Sequence, residues 1–222
     1  MIKKKMHTTA MISGSSVGMI YGAPGSTVID LGGLNVNGSL RETYEKLGMK
    51  YICVDIEAHP SVDVVTKPGE KLPFETGSID FVVSTSCFEH DPCFWITFKE
   101  MCRIVKLGGF IYVNAPSKGP YHKHPGDNWR FYSDAGQALA YWSGYQSTEN
   151  EVVWPARVEE TFHILPIDGL NEPWWNDFIC VWKRVEEKET NIIVEESISN
   201  KIGPLCRQLL TRGLKITNKI QA

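Results

Sequence analysis

No stretch of this chain approaches the roughly 20 consecutive apolar residues that a membrane span requires. Nor is there an excess of positive charge of the kind that marks nucleic-acid binding. The 23 Lys and Arg stand against 26 Asp and Glu, a net charge of -3. The six cysteines, Cys53, Cys87, Cys93, Cys102, Cys180 and Cys206, include no Cys-x-x-Cys pair. Several lie in apolar runs, which reads as free buried thiols in a reducing, cytoplasmic compartment with no zinc site. Internal repeats and low-complexity tracts are also missing. The start, Met1-Ile2-Lys3-Lys4-Lys5-Met6, has the basic character of an export signal. Ser13, Gly14, Ser15, Ser16 and Gly18 interrupt what would have to be its apolar stretch, so export is not expected.

What is present suits one sizeable domain. The chain has 222 residues, 42% hydrophobic and 22% charged, ordinary for a globular protein with its own core. Strand-like runs occur at Thr27–Leu31, Tyr51–Val54, Ile79–Ser84 and Phe110–Asn114. Helical segments separate most of them, so a parallel sheet with helices on both faces is expected. Leu40–Leu47 is helix-like. Phe94, Trp95, Phe98, Met101, Cys102 and Val105 form a buried stripe at helical spacing in the segment from Asp91 to Val105. Lys106-Leu107-Gly108-Gly109 reads as its basic last turn and glycine stop. A further helix is expected near Ser133–Ser143, then two strands, Val152–Ile164 and Trp174–Val185, forming a hairpin at the sheet end. The division is an N-terminal helical or lid segment (1–24), a main domain (25–186), and a charged linker with a last amphipathic helix, Ile198–Ile216 (187–222).

The most informative stretch lies between Thr27 and Gly38. An apolar run, Thr27-Val28-Ile29-Asp30-Leu31, breaks into Gly32-Gly33-Leu34-Asn35-Val36-Asn37-Gly38, and a second run, Tyr51-Ile52-Cys53-Val54, ends on Asp55. A strand ending in glycines, followed by a helix and a second strand closing on an acid, holds nucleotide-like ligands in α/β proteins. The glycines let the backbone approach the ligand, and Asp55 can accept from both hydroxyls of a ribose. The spacing is not G-x-G-x-x-G, because Leu34 fills the second-glycine slot, so it suits a pyrophosphate poorly.

Further elements follow in order: Leu72-Pro73-Phe74, Ser78-Ile79-Asp80-Phe81-Val82-Val83-Ser84, Glu89-His90, Glu100, Arg103 through Gly109, and Ala115-Pro116. Together these resemble the class I S-adenosylmethionine-dependent methyltransferases, specifically the type-11-like group. Asn35-Val36-Asn37-Gly38-Ser39 and His124-Pro125-Gly126-Asp127-Asn128-Trp129-Arg130-Phe131-Tyr132 look like a subgroup found among glycan- and polysaccharide-modifying methyltransferases. The resemblance covers roughly residues 25 to 145. It implies an α/β, Rossmann-like seven-stranded sheet, mostly parallel with a C-terminal antiparallel hairpin. It also implies S-adenosylmethionine as cofactor, leaving as S-adenosylhomocysteine. Asp30, Gly32, Gly33 and Asn35 would lie under its methionine part, Asp55 and Ile56 at the ribose, Glu70 and Lys71 at the adenine, and Ser84 and Ser86 at the sulfonium. Pro68 stands where an acid is usual, which leaves Glu70 or backbone groups for the adenine.

A sulfonium methyl is already activated, so alignment of an acceptor lone pair is the main task. A sugar hydroxyl additionally benefits from a base. Candidates are His122, His124 and Asp127 in the loop after Asn114, and His90 in Glu89-His90-Asp91; histidine titrates near working pH. The alternatives are that Asp127 pairs with Arg130 to pin the loop, and that Asp91 caps the following helix. Tyr121, Trp129, Arg130 and Tyr132 are the candidate acceptor contacts, although aromatics at this density also suit a core. Magnesium prefers carboxylates and water, and no metal is assigned to His122-Lys123-His124. Trp174 and Trp175 line an acceptor groove or close the sheet end, and His7 belongs to the lid. The expected activity is O-methylation of a sugar hydroxyl on a glycan or oligosaccharide by a monomer or homodimer, as a domain of or partner to glycosyltransferases. Methylation of a small molecule or amine, or a non-catalytic interaction module, are the rivals.

Overall fold

The computed structural model describes residues 8–36, 38–123, 125–144, 146–147, 152–153, 158–164 and 175–185. Five strands run parallel: β1 (Thr27–Leu31), β2 (Lys50–Asp55), β3 (Val64–Val65), β4 (Ile79–Thr85) and β5 (Val105–Lys118). A short ladder, β6 (Gln146–Ser147) with β7 (Val152–Val153), stands apart from them. The last two strands, β8 (Val158–Ile164) and β9 (Asn176–Arg184), complete the main sheet in the order β3-β2-β1-β4-β5-β9-β8. β9 is antiparallel to both its neighbours, β5 and β8. Six of these strands have five residues or more, and β3 is a two-residue edge. The order reverses direction between β1 and β4, which opens a crevice beyond their carboxyl ends.

The sheet is buried on both faces, as parallel strands require. Alternate residues go to opposite faces. Ile29, Leu31, Val82, Ile111, Val113, Phe178, Cys180 and Trp182 share one core with helix α3 (Phe94–Ile104), which contributes Phe98, Met101, Cys102 and Ile104, and with Leu139 of α4 (Ala135–Gly144). Val28, Phe81, Val83, Tyr112, Ile179 and Val181 share the other with Val17 of α1 (Thr8–Tyr21) and Tyr44 of α2 (Arg41–Lys46). A Cβ at Gly18 would lie 2.8 Å from Tyr44 Cζ, so the small residue lets α1 sit directly on α2. Tyr44 Oη in turn donates to Gly14 O at 3.0 Å.

Several boundaries differ from the sequence reading. The helix expected from Asp91 begins at Phe94, and Asp91 precedes it, accepting from Cys93 N at 2.8 Å and from the Thr97 hydroxyl. Lys106–Gly109 is no helix stop. β5 starts at Val105 directly after α3, and these four residues are a bulge between the Ile79–Val105 and Phe81–Phe110 pairs. A Cβ at Gly109 would lie 2.7 Å from Asp80 O, so only glycine passes there. The single strand expected over Val152–Ile164 is two, β7 and β8. β9 begins at Asn176, and Trp174 lies outside the described residues, as do His7 and Ile198–Ile216. No helix among the described residues is long and apolar enough to cross a membrane.

Candidate active site

The crevice is built first by the turn after β1. Gly32 has φ +76°, and a Cβ there would lie 2.4 Å from Cys87 Sγ. At Gly33 a Cβ would lie 2.9 Å from Asp30 Cγ and 3.0 Å from Cys53 Sγ. Both amides turn back onto Val54 O, at 2.8 and 3.3 Å. Internal packing therefore demands these glycines, which is a different reason from the close ligand approach read in the sequence. Leu34, the residue out of pattern, donates its amide to Asp55 Oδ2 at 3.0 Å, while Glu57 N donates to Oδ1 at 3.1 Å. Each oxygen retains a lone pair, so Asp55 both tethers the turn and can accept from a diol.

Asp30 lies beneath the turn, 4% exposed. Its Oδ2 accepts from the Tyr51 phenol, but Oδ1 has no partner among the described residues. Burial raises its pKa to about 7, and the negative charge of Asp55 adds to this, against the lowering from Tyr51. The Tyr51 phenol is itself pushed well up by burial and by Asp30. An orphaned buried carboxylate oxygen under a glycine turn suits a ligand bearing an ammonium group. Asp30 and the glycine turn therefore fit the amino-acid end of S-adenosylmethionine.

The ends of β4 and β5 form the other wall. The Ser84 hydroxyl donates to Leu31 O at 2.9 Å and is fully buried, fixing the spacing between β4 and β1. Ser86 has φ +50°, a conformation uncommon outside glycine, and its amide donates to Asn114 O at 2.9 Å. Among the described residues the buried Asn114 side chain has no partner for its oxygen or its nitrogen, and the Thr85 hydroxyl is likewise unsatisfied. Unmet polar groups concentrated at strand ends are the expected signature of a ligand site.

Just beyond them is Glu89, 0% exposed, with no hydrogen-bond donor to either carboxylate oxygen among the described residues. His90 Nε2 lies 3.6 Å and His122 Nε2 3.8 Å from its Oε1, which are ion-pair approaches rather than hydrogen bonds. The proton affinity of His122 is raised, chiefly by Glu89, against a lowering from burial. The two rings meet edge to face with centroids 5.1 Å apart.

The loop after β5 is sewn to Glu89–Asp91. Asn128 N donates to Glu89 O at 2.7 Å, Asn128 Nδ2 to His90 O at 2.9 Å, and Trp129 Nε1 to Asp91 O at 2.8 Å. Asp127 accepts both arms of Arg130, at 2.5 and 2.7 Å, and His122 N at 2.7 Å. Arg130 holds its carboxyl down at about 2. Asp127 thus pins the loop, as the alternative reading of the sequence had it.

The structure brings His90 and His122 together; His124 lies outside the described residues. Tyr121 and Tyr132 are exposed on the loop, 73% and 76%, and Trp129 is partly so. Asn35 and Ile56 are exposed beside the turn. Glu70 and Lys71 are exposed on the loop after β3, where Glu70 pairs with Lys67 at 3.7 Å. The sequence reading named Glu89-His90-Asp91 but gave Glu89 no role of its own, and it assigned no site role to Asn114 or Tyr51. Only Glu89 had a signal, an acid two residues after the cysteine that follows an apolar strand, and its burial was not visible.

The strand order and the glycine-turn crevice define a class I methyltransferase fold. Residues 30–113 match the family model described as "Methyltransferase domain". An uncharacterized methyltransferase of Mycobacterium sp. (strain KMS) is 32% identical over 110 residues, 45% of this chain and 43% of that protein. The chain therefore spans less than half the length of the curated relatives it matches. Among solved structures, a 1,6-didemethyltoxoflavin-N1-methyltransferase from Burkholderia thailandensis, with 1,6-didemethyltoxoflavin and S-adenosylhomocysteine bound, superposes with TM-score 0.56 at 13% identity, over 81% of this chain and 80% of that one. A putative sarcosine dimethylglycine methyltransferase from Galdieria sulphuraria gives 0.54 at 14% identity, over 80% and 85%. At these identities the likeness is one of fold.

Proposed function

We propose that this chain binds S-adenosylmethionine in the crevice between the β1 turn and the ends of β4 and β5, and methylates a sugar hydroxyl of a glycan or oligosaccharide. Residues 25–186 would be the catalytic unit. When bound, the cofactor supplies a methyl group on a positively charged sulfur. Asp30 Oδ1 holds its ammonium, Asp55 its ribose hydroxyls, and the Ser84–Ser86 bend its sulfonium end. The observation that carries the reading is Glu89, a buried carboxylate without a donor among the described residues, set at the strand ends with two imidazoles aimed at it. His122 Nε2 would take the proton of the acceptor hydroxyl as that oxygen is methylated. Glu89 and His90 stabilise the imidazolium that results. Asp127 is a positioning residue, because a carboxylate held at about 2 has little affinity for a proton.

The acceptor class rests on the Asn35–Ser39 and His124–Tyr132 strings and on the exposed faces of Tyr121, Trp129 and Tyr132, which suit sugar C–H surfaces. A glycan acceptor would place the chain beside glycosyltransferases, as a partner or an adjoining domain. The test pairs calorimetry against S-adenosylhomocysteine with an acceptor screen using labelled cofactor. Saturable binding and labelling of oligosaccharides are expected. Labelling confined to amines or phenols would transfer the reading to small-molecule methylation, and absence of cofactor binding would leave only a non-catalytic module.

A further inference from the structure

Glu89, His90 and His122 form a group whose charge does not close by itself. His90 Nδ1 faces Gly126 O, and a carbonyl accepts only from N–H, so neutral His90 presents an Nε2 lone pair to Glu89. His122 Nδ1 lies 3.2 Å from Pro120 O and 3.4 Å from Asp127 Oδ2, which fixes its tautomer the same way. With both imidazoles neutral, three acceptor atoms, one on the fully buried Glu89, converge with no hydrogen between them. One proton can join only one pair of them. A metal cation satisfies all three.

We propose that Glu89 Oε1, His90 Nε2 and His122 Nε2 bind a divalent transition-metal ion of the zinc or cobalt(II) kind. The three ligand atoms lie within 4.8 Å of one another. Bonds of about 2.0–2.2 Å set tetrahedral ligand atoms about 3.3–3.6 Å apart, so Glu89 is already near the required distance from both rings. The surroundings are those of a ligating histidine, whose other nitrogen donates to a carbonyl or carboxylate that fixes the ring; here Gly126 O, Pro120 O and Asp127 do so. Two imidazoles and one carboxylate suit borderline ions rather than magnesium or calcium. This departs from the metal-free site expected from the sequence, which had considered only His122-Lys123-His124. Three protein ligands leave a position open, as in catalytic rather than structural sites.

The inference rests on the methyltransferase reading and changes one role in it: His122 Nε2 cannot be both metal ligand and base, so with the ion bound the metal, not His122, would ease loss of the acceptor proton. Metal binding is nevertheless measurable alone. Untagged, chelator-stripped protein is titrated with cobalt(II) chloride, followed by visible absorption, and with zinc chloride by calorimetry. One equivalent should bind. Glu89→Gln and His122→Gln should each weaken it by at least about tenfold, and His59→Gln, on an exposed loop, should not. His122 is on a partly exposed loop, so this variant remains informative if Glu89→Gln does not fold. Wild-type binding no tighter than that of His122→Gln, or undetectable binding, would overturn the site. S-adenosylhomocysteine titrated into the same samples tests the methyltransferase reading separately: metal without cofactor binding refutes that reading alone, and cofactor without metal binding refutes this one alone.

Discussion

Asp30 shows how one residue couples stability to function. Its folded pKa of about 7 lies above the ordinary carboxylate value of 3.8, so the folded chain holds an extra proton between roughly those two pH values. Stability from this group must therefore fall as pH rises from about 4 to 7, by on the order of a few kcal/mol at most. In cofactor-free protein, urea midpoints between pH 5 and 8 should decline, and Asp30→Asn should flatten the decline. An equally steep decline in the variant would mean that Asp30 does not titrate there. Asp55 makes a second residue-scale case. Asp55→Ala removes both the tether on Leu34 N and the acceptor for a diol, so S-adenosylhomocysteine should bind at least about tenfold more weakly, ~1.4 kcal/mol. Calorimetry decides this, with circular dichroism confirming the fold.

At the scale of elements, two contacts hold the frame around the crevice. The first is α1 on α2, where Gly18 faces the fully buried Tyr44 ring. Gly18→Val should cost about 1–3 kcal/mol by overpacking, read as a lower denaturant midpoint. The second joins Leu72-Pro73-Phe74 to α3. Glu100 Oε2 accepts from Leu72 N at 2.8 Å, and Arg103 donates to Phe74 O at 2.8 Å, Leu72 O at 3.0 Å and Glu100. These motif residues, read in the sequence only as an ordered series, are one clamp. Arg103→Ala should destabilise by about 2 kcal/mol through the carbonyls it strands. Arg103→Lys should recover little, because an ammonium lacks the forked geometry.

For the whole molecule, the ligand should couple to global stability, because the crevice draws on β1, β2, β4 and the loop after β5 together. S-adenosylhomocysteine at about 100 times its dissociation constant should stabilise by about 2.7 kcal/mol, a melting shift of roughly 5–10 °C. No shift at saturation would contradict binding in the crevice.

The alternation of buried strands and helices, the turn at Gly32–Gly33 and the acids Asp30 and Asp55 were legible in the sequence, because periodicity, glycine and charge at strand ends are local signals. The sequence also carried the string from Gly126 to Tyr132 as a unit, since those residues are contiguous. It did not reveal the bulge at Lys106–Gly109 or the edge strand β3, which exist only where a neighbouring strand sets the register. Nor did it show that Gly32 and Gly33 are required by Cys87, Asp30 and Cys53, residues distant in the chain or masked by the turn. Only the tertiary structure decided that Asp127 is a pin, and that Glu89 stands between His90 and His122. Burial, and the loss of solvent that makes an unpartnered carboxylate costly, belong to the assembled fold and to no segment of it.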